Sequence, residues 1–164
     1  MHTSPAPGAD DFDFEFGAYA VHHRRLNSRL SGCEDWTTFE GRCTTRPILG
    51  GLGNIEDNEL DLPEGRYRAV ALRSFDPGSG LWAIWWLDGR APHALDVPVK
   101  GRFDGPIGLF YADDLLDGRD IKVRFTWDKR KLDEPRWEQA FSADGGTTWE
   151  TNWVMRFTKV VDAI

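Results

Sequence analysis

Two cysteines and two methionines are all the sulfur in this 164-residue chain. Cys33 and Cys43 cannot build a disulfide framework or a four-ligand zinc site between them. Positive charge is also in short supply: 20 Lys and Arg stand against 27 Asp and Glu, a formal charge of −7. General binders of nucleic acid or of anionic membranes present a basic face, so neither is expected as a partner. Long apolar runs are missing too. The longest, Leu81–Leu87 (LWAIWWL), falls far short of the ~20 residues a membrane helix needs. The first residues carry no basic end followed by an apolar stretch, so no secretory signal is read and a cytoplasmic location is expected. Helical periodicity is absent: no useful length of chain repeats its apolar residues every three to four positions.

What the chain has in abundance is aromatic side chains and turn residues. Eight Trp, ten Phe and three Tyr accompany 17 Gly and nine Pro, a spacing that suits short strands and turns. The length points to one domain. Residues 1–11 are small, polar and proline-containing and read as a flexible tail, leaving 12–164 as the domain. Phe12, Phe14 and Phe16 alternate with Asp13 and Glu15, which is the period of a strand. Further on, Leu62-Pro63-Glu64-Gly65, Asp76–Gly80, Asp104-Gly105-Pro106, Asp117-Gly118 and Asp144-Gly145-Gly146 mark turns between nine or ten short strands. Sequential hairpins leave two exposed edges unless the sheet closes. The expectation is therefore an all-β, antiparallel up-and-down barrel of about 8–10 strands, with a two-sheet sandwich as the other architecture.

Period-two reading sorts the strands into faces. Ile121, Val123, Phe125 and Trp127 share one, as do Trp137, Gln139 and Phe141, and as do Trp149, Thr151, Trp153, Met155 and Phe157. Around Trp82–Trp86 both faces are apolar. A tryptophan-rich face belongs inside, where it either fills the barrel or lines a cavity for an apolar or aromatic molecule. Candidate ligand-binding residues are Trp85, Trp137, Gln139, Asn152 and Trp153. Asn54, at the end of the glycine-rich stretch 50–54, is another if it reaches the cavity. Strict alternation puts Gln139 and Asn152 on opposite faces, so both cannot point inward. His23 shares a face with Tyr19 and Val21 and is the candidate acid–base group. No metal is expected, because no second His, Cys or carboxylate stands at ligand spacing from it; His2 and His93 fall in the tail and a loop. Arg24, Arg25 and Arg29 read as a solvated strand edge. Gly50–Asn54 lacks the Lys-Ser/Thr of a phosphate loop, and no nucleotide or other cofactor is expected.

Two motifs and several longer stretches carry a resemblance. Phe16-Gly17-Ala18-Tyr19 resembles the Gly-x-Trp signature of lipocalins and other calycins, with Tyr19 in place of Trp and Arg156 as the implied stacking partner. Ser142–Trp149 (SADGGTTW) looks like an Asp-box, which implies a hairpin turn and no activity. Phe14–Gly17 with His22–Leu26, Pro47–Asn54, Arg136–Phe141 and Trp149–Trp153 resemble a bacterial family of small lipocalin-like proteins. That resemblance implies the calycin barrel and brings no catalytic residues. Two functions follow from a cavity. One is a small-molecule-binding barrel, acting as carrier or sensor. The other is a cofactor-independent isomerase, cyclase or lyase acting on a small metabolite. A structural role as a homodimer is a third possibility.

Overall fold

In the computed structural model, which describes residues 6–161, ten strands close into one barrel: β1 (Gly17–Leu26), β2 (Trp36–Ile48), β3 (Gly53–Leu62), β4 (Gly65–Asp76), β5 (Leu81–Asp88), β6 (Val99–Asp104), β7 (Ile107–Leu116), β8 (Arg119–Asp128), β9 (Arg136–Ser142) and β10 (Glu150–Lys159). Each pairs antiparallel with its neighbours in sequence, and β10 pairs with β1 to seal the sheet, with Tyr19 opposite Lys159 and Arg25 opposite Trp153. Closure removes both edges, as the hairpin sequence anticipates. Among the described residues no helix is long and apolar enough to cross a membrane.

Alternation sets the inner face. On β8, Ile121, Val123 and Trp127 are buried, opposite Phe141 and Trp137 of β9. Where the wall bends tightly the inward position is glycine: a Cβ on Gly101 would lie 1.9 Å from the Leu109 carbonyl oxygen, which only a residue without a side chain avoids. The weakest seam is β5–β6, where Trp82, Ala83 and Ile84 alone of β5 pair with β6. The 89–98 loop leaves the sheet there, tied back by Asp96 N–H donating to the Trp86 carbonyl at 3.0 Å.

Residues 1–5 of the expected tail lie outside the described residues; residues 8–11 form turns, and Ala9 is buried. The Phe12–Phe16 alternation is not a strand: Asp13–Glu15 is a 3-10 turn. Instead of running along the sheet, this segment enters one end of the barrel. Phe12 is wholly buried, with ring centroids 4.9 Å from Trp82, 5.1 Å from Phe103 and 5.8 Å from both Phe110 and Trp127. Trp82 Nε1 donates to the Gly8 carbonyl at 3.1 Å, and Lys129 Nζ to that of Asp11 at 2.8 Å. Three aromatics in five residues look like a strand by period, yet seating Phe12, with Phe14 packed beside it, in a ready-made aromatic socket is worth more than edge pairing. Tyr19 is buried against Phe157, with Lys159 near its ring. Arg156 points outward and is exposed, so it is not the stacking partner.

At the β9–β10 end, Ser142–Trp149 folds as a tight turn. Asp144 accepts the Thr148 amide at 2.9 Å, the Ser142 hydroxyl donates to it at 2.7 Å, and Trp149 Nε1 donates to the Gly146 carbonyl at 3.1 Å. The Thr148 hydroxyl and amide, followed by Ser142, hold the Asp144 carboxyl down to about 2.

Candidate functional site

The plug divides the barrel interior. Its own half is filled; the opposite half holds a cavity of about 370 Å³. Trp153 organises its floor. Its ring meets Trp137 (5.4 Å, 87°) and Trp86 (5.6 Å, 85°) edge to face, and Trp137 meets Phe125 in the same way (5.0 Å, 78°). T-shaped contacts of this kind lock aromatic rings against collapse into the space they surround. Val123, Phe141 and Ile84 complete the apolar wall, and Ala91, Ala94 and Val97 of the 89–98 loop close the side where β5 and β6 part. The rim is charged: Arg25, Arg29 and Arg90 with Asp88, Asp96 and Asp114.

Of the residues singled out from sequence, Trp137, Gln139 and Trp153 line this cavity. Trp85 does not. It stands opposite Leu72 in the β4–β5 register, whereas Trp86 stands opposite the buried Ala71 and takes the lining position. Asn54 is buried in the plugged half, accepting from Arg73 Nη1 at 2.9 Å. Asn152 is fully buried, because β10 bulges between Thr151 and Trp153. The extra residue breaks the alternation, so Gln139 Nε2 can donate to Asn152 Oδ1 at 2.8 Å. Strict alternation forbids that pairing and the bulge permits it.

His23 points inward but does not line the cavity: it lies behind Trp153. Trp153 Nε1 can only donate, so His23 Nδ1 accepts its bond at 3.1 Å and the ring proton sits on Nε2. The imidazole stacks on Phe39 at 4.5 Å and 10°. Burial, helped by the Arg25 charge, lowers its pKa from 6.5 to about 3. At neutral pH it is an uncharged positioning group for Trp153. Because the folded pKa lies below the unfolded value, the unfolded chain binds the extra proton, and stability is lost as pH falls from about 6.5 towards 3. Between pH 7 and 5 the wild type should lose about 2 kcal/mol relative to His23→Gln, read from paired urea melts.

The plugged half holds a charged cluster that period-two reading missed. Arg73, fully buried, is ion-paired with Glu56 and lies over Phe12 at 4.9 Å and Trp127 at 5.3 Å. Glu15, carried in by the plug, has no partner for either carboxyl oxygen unless it is itself protonated. Burial first, and Glu56 second, push its pKa well up. Burial alone would raise Glu56 too, but Arg73 and the hydrogen bonds around it hold Glu56 below its ordinary value. One proton and one guanidinium thus balance two carboxyls. Glu15, Cys43 and Glu56 offer ligand atoms within 4.8 Å of one another. Burial raises the pKa of both Glu15 and Cys43 and Arg73 engages the Glu56 carboxylate, so a cation there would have to displace those protons and the guanidinium.

No protein-family model matches this chain, and no curated protein matches it either. The ten-stranded antiparallel barrel is consistent with a calycin-like fold.

Proposed function

We propose that this barrel is a lipocalin-like binder of one small molecule with a flat aromatic or apolar body, acting as carrier or sensor. The observation that carries the reading is the unequal filling of the interior. One half is packed solid by Phe12 and the Arg73 cluster, while the other keeps about 370 Å³ between rigidly crossed rings. Such a volume falls in the range of small-ligand sites, and an aromatic floor beneath a polar, charged rim suits a flat apolar body held by shape and oriented by a few polar contacts. Turnover on a small metabolite finds less support, since the acid–base candidate His23 is uncharged and screened from the cavity by Trp153. A cytoplasmic setting is part of the proposal, supported by Cys33 and Cys43 both being free.

Titration against a library of aromatic metabolites, followed by tryptophan fluorescence and native mass spectrometry, should give saturable one-to-one binding. Val123 lies in the cavity wall, so Val123→Phe should fill the space and weaken binding by at least ~10-fold, at a stability cost of about 1–3 kcal/mol. Unchanged affinity in a folded Val123→Phe protein would place the ligand elsewhere and remove this reading.

A further inference from the structure

The rim arginines are not equivalent. Arg90 is satisfied, its guanidinium forked onto Asp88 with Nη2–Oδ2 at 2.8 Å and Nε–Oδ1 at 3.1 Å. Arg25 and Arg29 form no salt bridge among the described residues. Arg25 continues the inward face of β1 beyond His23. Its guanidinium lies on the Trp153 ring at 4.1 Å and near Phe39 at 5.3 Å, Nη2 donates to the Tyr67 hydroxyl at 2.7 Å, and the buried Nε has no acceptor. Arg29 comes from the β1–β2 loop and lies over Phe141 at 5.4 Å, its guanidinium without a hydrogen-bond partner among the described residues. Burial, and after it the charge of Arg25, depresses the Arg29 pKa. Two cations therefore stand close together, partly out of water, and neither is salt-bridged among the described residues.

Opposite them, the 89–98 loop and β7 contribute Asp96 and Asp114 to the rim. Neither pairs with Arg25 or Arg29. Burial and then the neighbouring Asp114 and Asp88 raise the Asp96 pKa, so the acids crowd one another as the arginines do. The mouth therefore carries charge of both signs, with Asp96 within electrostatic reach of Arg29 and Asp88 within reach of Arg25, though neither acid is salt-bridged to either arginine among the described residues.

Resting on the binder reading above, we propose that Arg25, Arg29 and Tyr67 form a subsite for the carboxylate of a monoanionic ligand whose aromatic or apolar body enters the cavity. A carboxylate accepts the donors that Arg25 Nε and Arg29 leave unused, in the planar fork geometry a guanidinium prefers. Asp88, Asp96 and Asp114 at the same mouth discriminate against a second negative charge on the same molecule, which disfavours phosphate monoesters and dicarboxylates.

The test is calorimetry on the whole chain with 2-naphthylacetate, 2-naphthylacetamide, 2-(2-naphthyl)ethylamine and 2-naphthyl phosphate, at low and high salt. The acid should bind at least ~10-fold tighter than the amide and the phosphate monoester, and high salt should erode that preference. In Arg25→Gln/Arg29→Gln the acid's advantage over the amide should fall below about threefold. If loss of the Trp153 stack unfolds that protein, Arg29→Gln alone serves, since its guanidinium makes no hydrogen bond that folding needs; it should cost the acid about threefold or more and leave the amide unchanged. Equal binding of amide and acid, or tightest binding of the amine or the phosphate, overturns the subsite and leaves the cavity reading standing. No saturable binding by any of the four overturns both.

Discussion

Arg73→Met is expected to cost the barrel about 3–5 kcal/mol, the usual penalty for removing one partner of a buried ion pair. Methionine keeps the apolar stem against Phe12 and Trp127 but leaves the Glu56 carboxylate buried without its counter-ion. The loss should depend on pH in a direction opposite to ordinary acid denaturation. Without the guanidinium, Glu56 joins Glu15 in holding a proton above its ordinary pKa, so the folded variant binds more protons than the unfolded chain. Its stability then falls as pH rises, and the gap to wild type should widen from pH 5 to pH 8. Adding Glu56→Leu removes the stranded charge and should recover at least half of the loss. Chemical denaturation of the three proteins across that range is the check. A gap that stays flat with pH would show that Glu56 finds another counter-charge.

Phe12→Ala should cost a further-reaching 3–5 kcal/mol, about the penalty for truncating a buried phenylalanine in a core. Its ring is the hub against Trp82, Phe103, Phe110 and Trp127, so the void would sit in the centre of the filled half. The same change loosens the segment that inserts Glu15 beside Glu56. The expected signature is therefore a red shift of tryptophan emission from Trp82 and Trp127 in the folded state, together with a lowered urea midpoint. If the midpoint drops without any spectral change, the plug stays seated and the cost is the cavity alone.

The barrel was legible because hairpin signals recur at short intervals and because runs such as Ile121–Trp127 alternate without interruption. Burial then follows from period two, and Trp137, Gln139 and Trp153 fall on the cavity as read. The same rule misplaces residues wherever the ladder slips. Trp149 and Thr151 do not share the inner face with Trp153, because the bulge at Asn152 shifts β10 by one residue between them. In Trp82–Trp86 both faces are apolar, and the choice of Trp86 over Trp85 comes only from the β4–β5 register. Arg25 was in the right phase to be seen, two residues beyond His23, but its charge made a solvated edge the simpler reading. Phe12–Phe16 carried a strand's pattern with no strand partner available.

The sequence by itself determined the class of fold, the turn positions and the apolar lining, since these depend on local backbone preference and on side-chain period. The tertiary structure alone decided which half of the barrel is filled and which is open. Two carboxyls and an arginine, Glu15, Glu56 and Arg73, lie far apart in the chain, and each alone reads as a surface charge. Only closure of the sheet and entry of the plug bring them within reach, where one shared proton and one guanidinium make their burial tolerable. The other half keeps its space because none of the described segments enters it and crossed tryptophans line its walls, and that is a property of packing that no local pattern encodes.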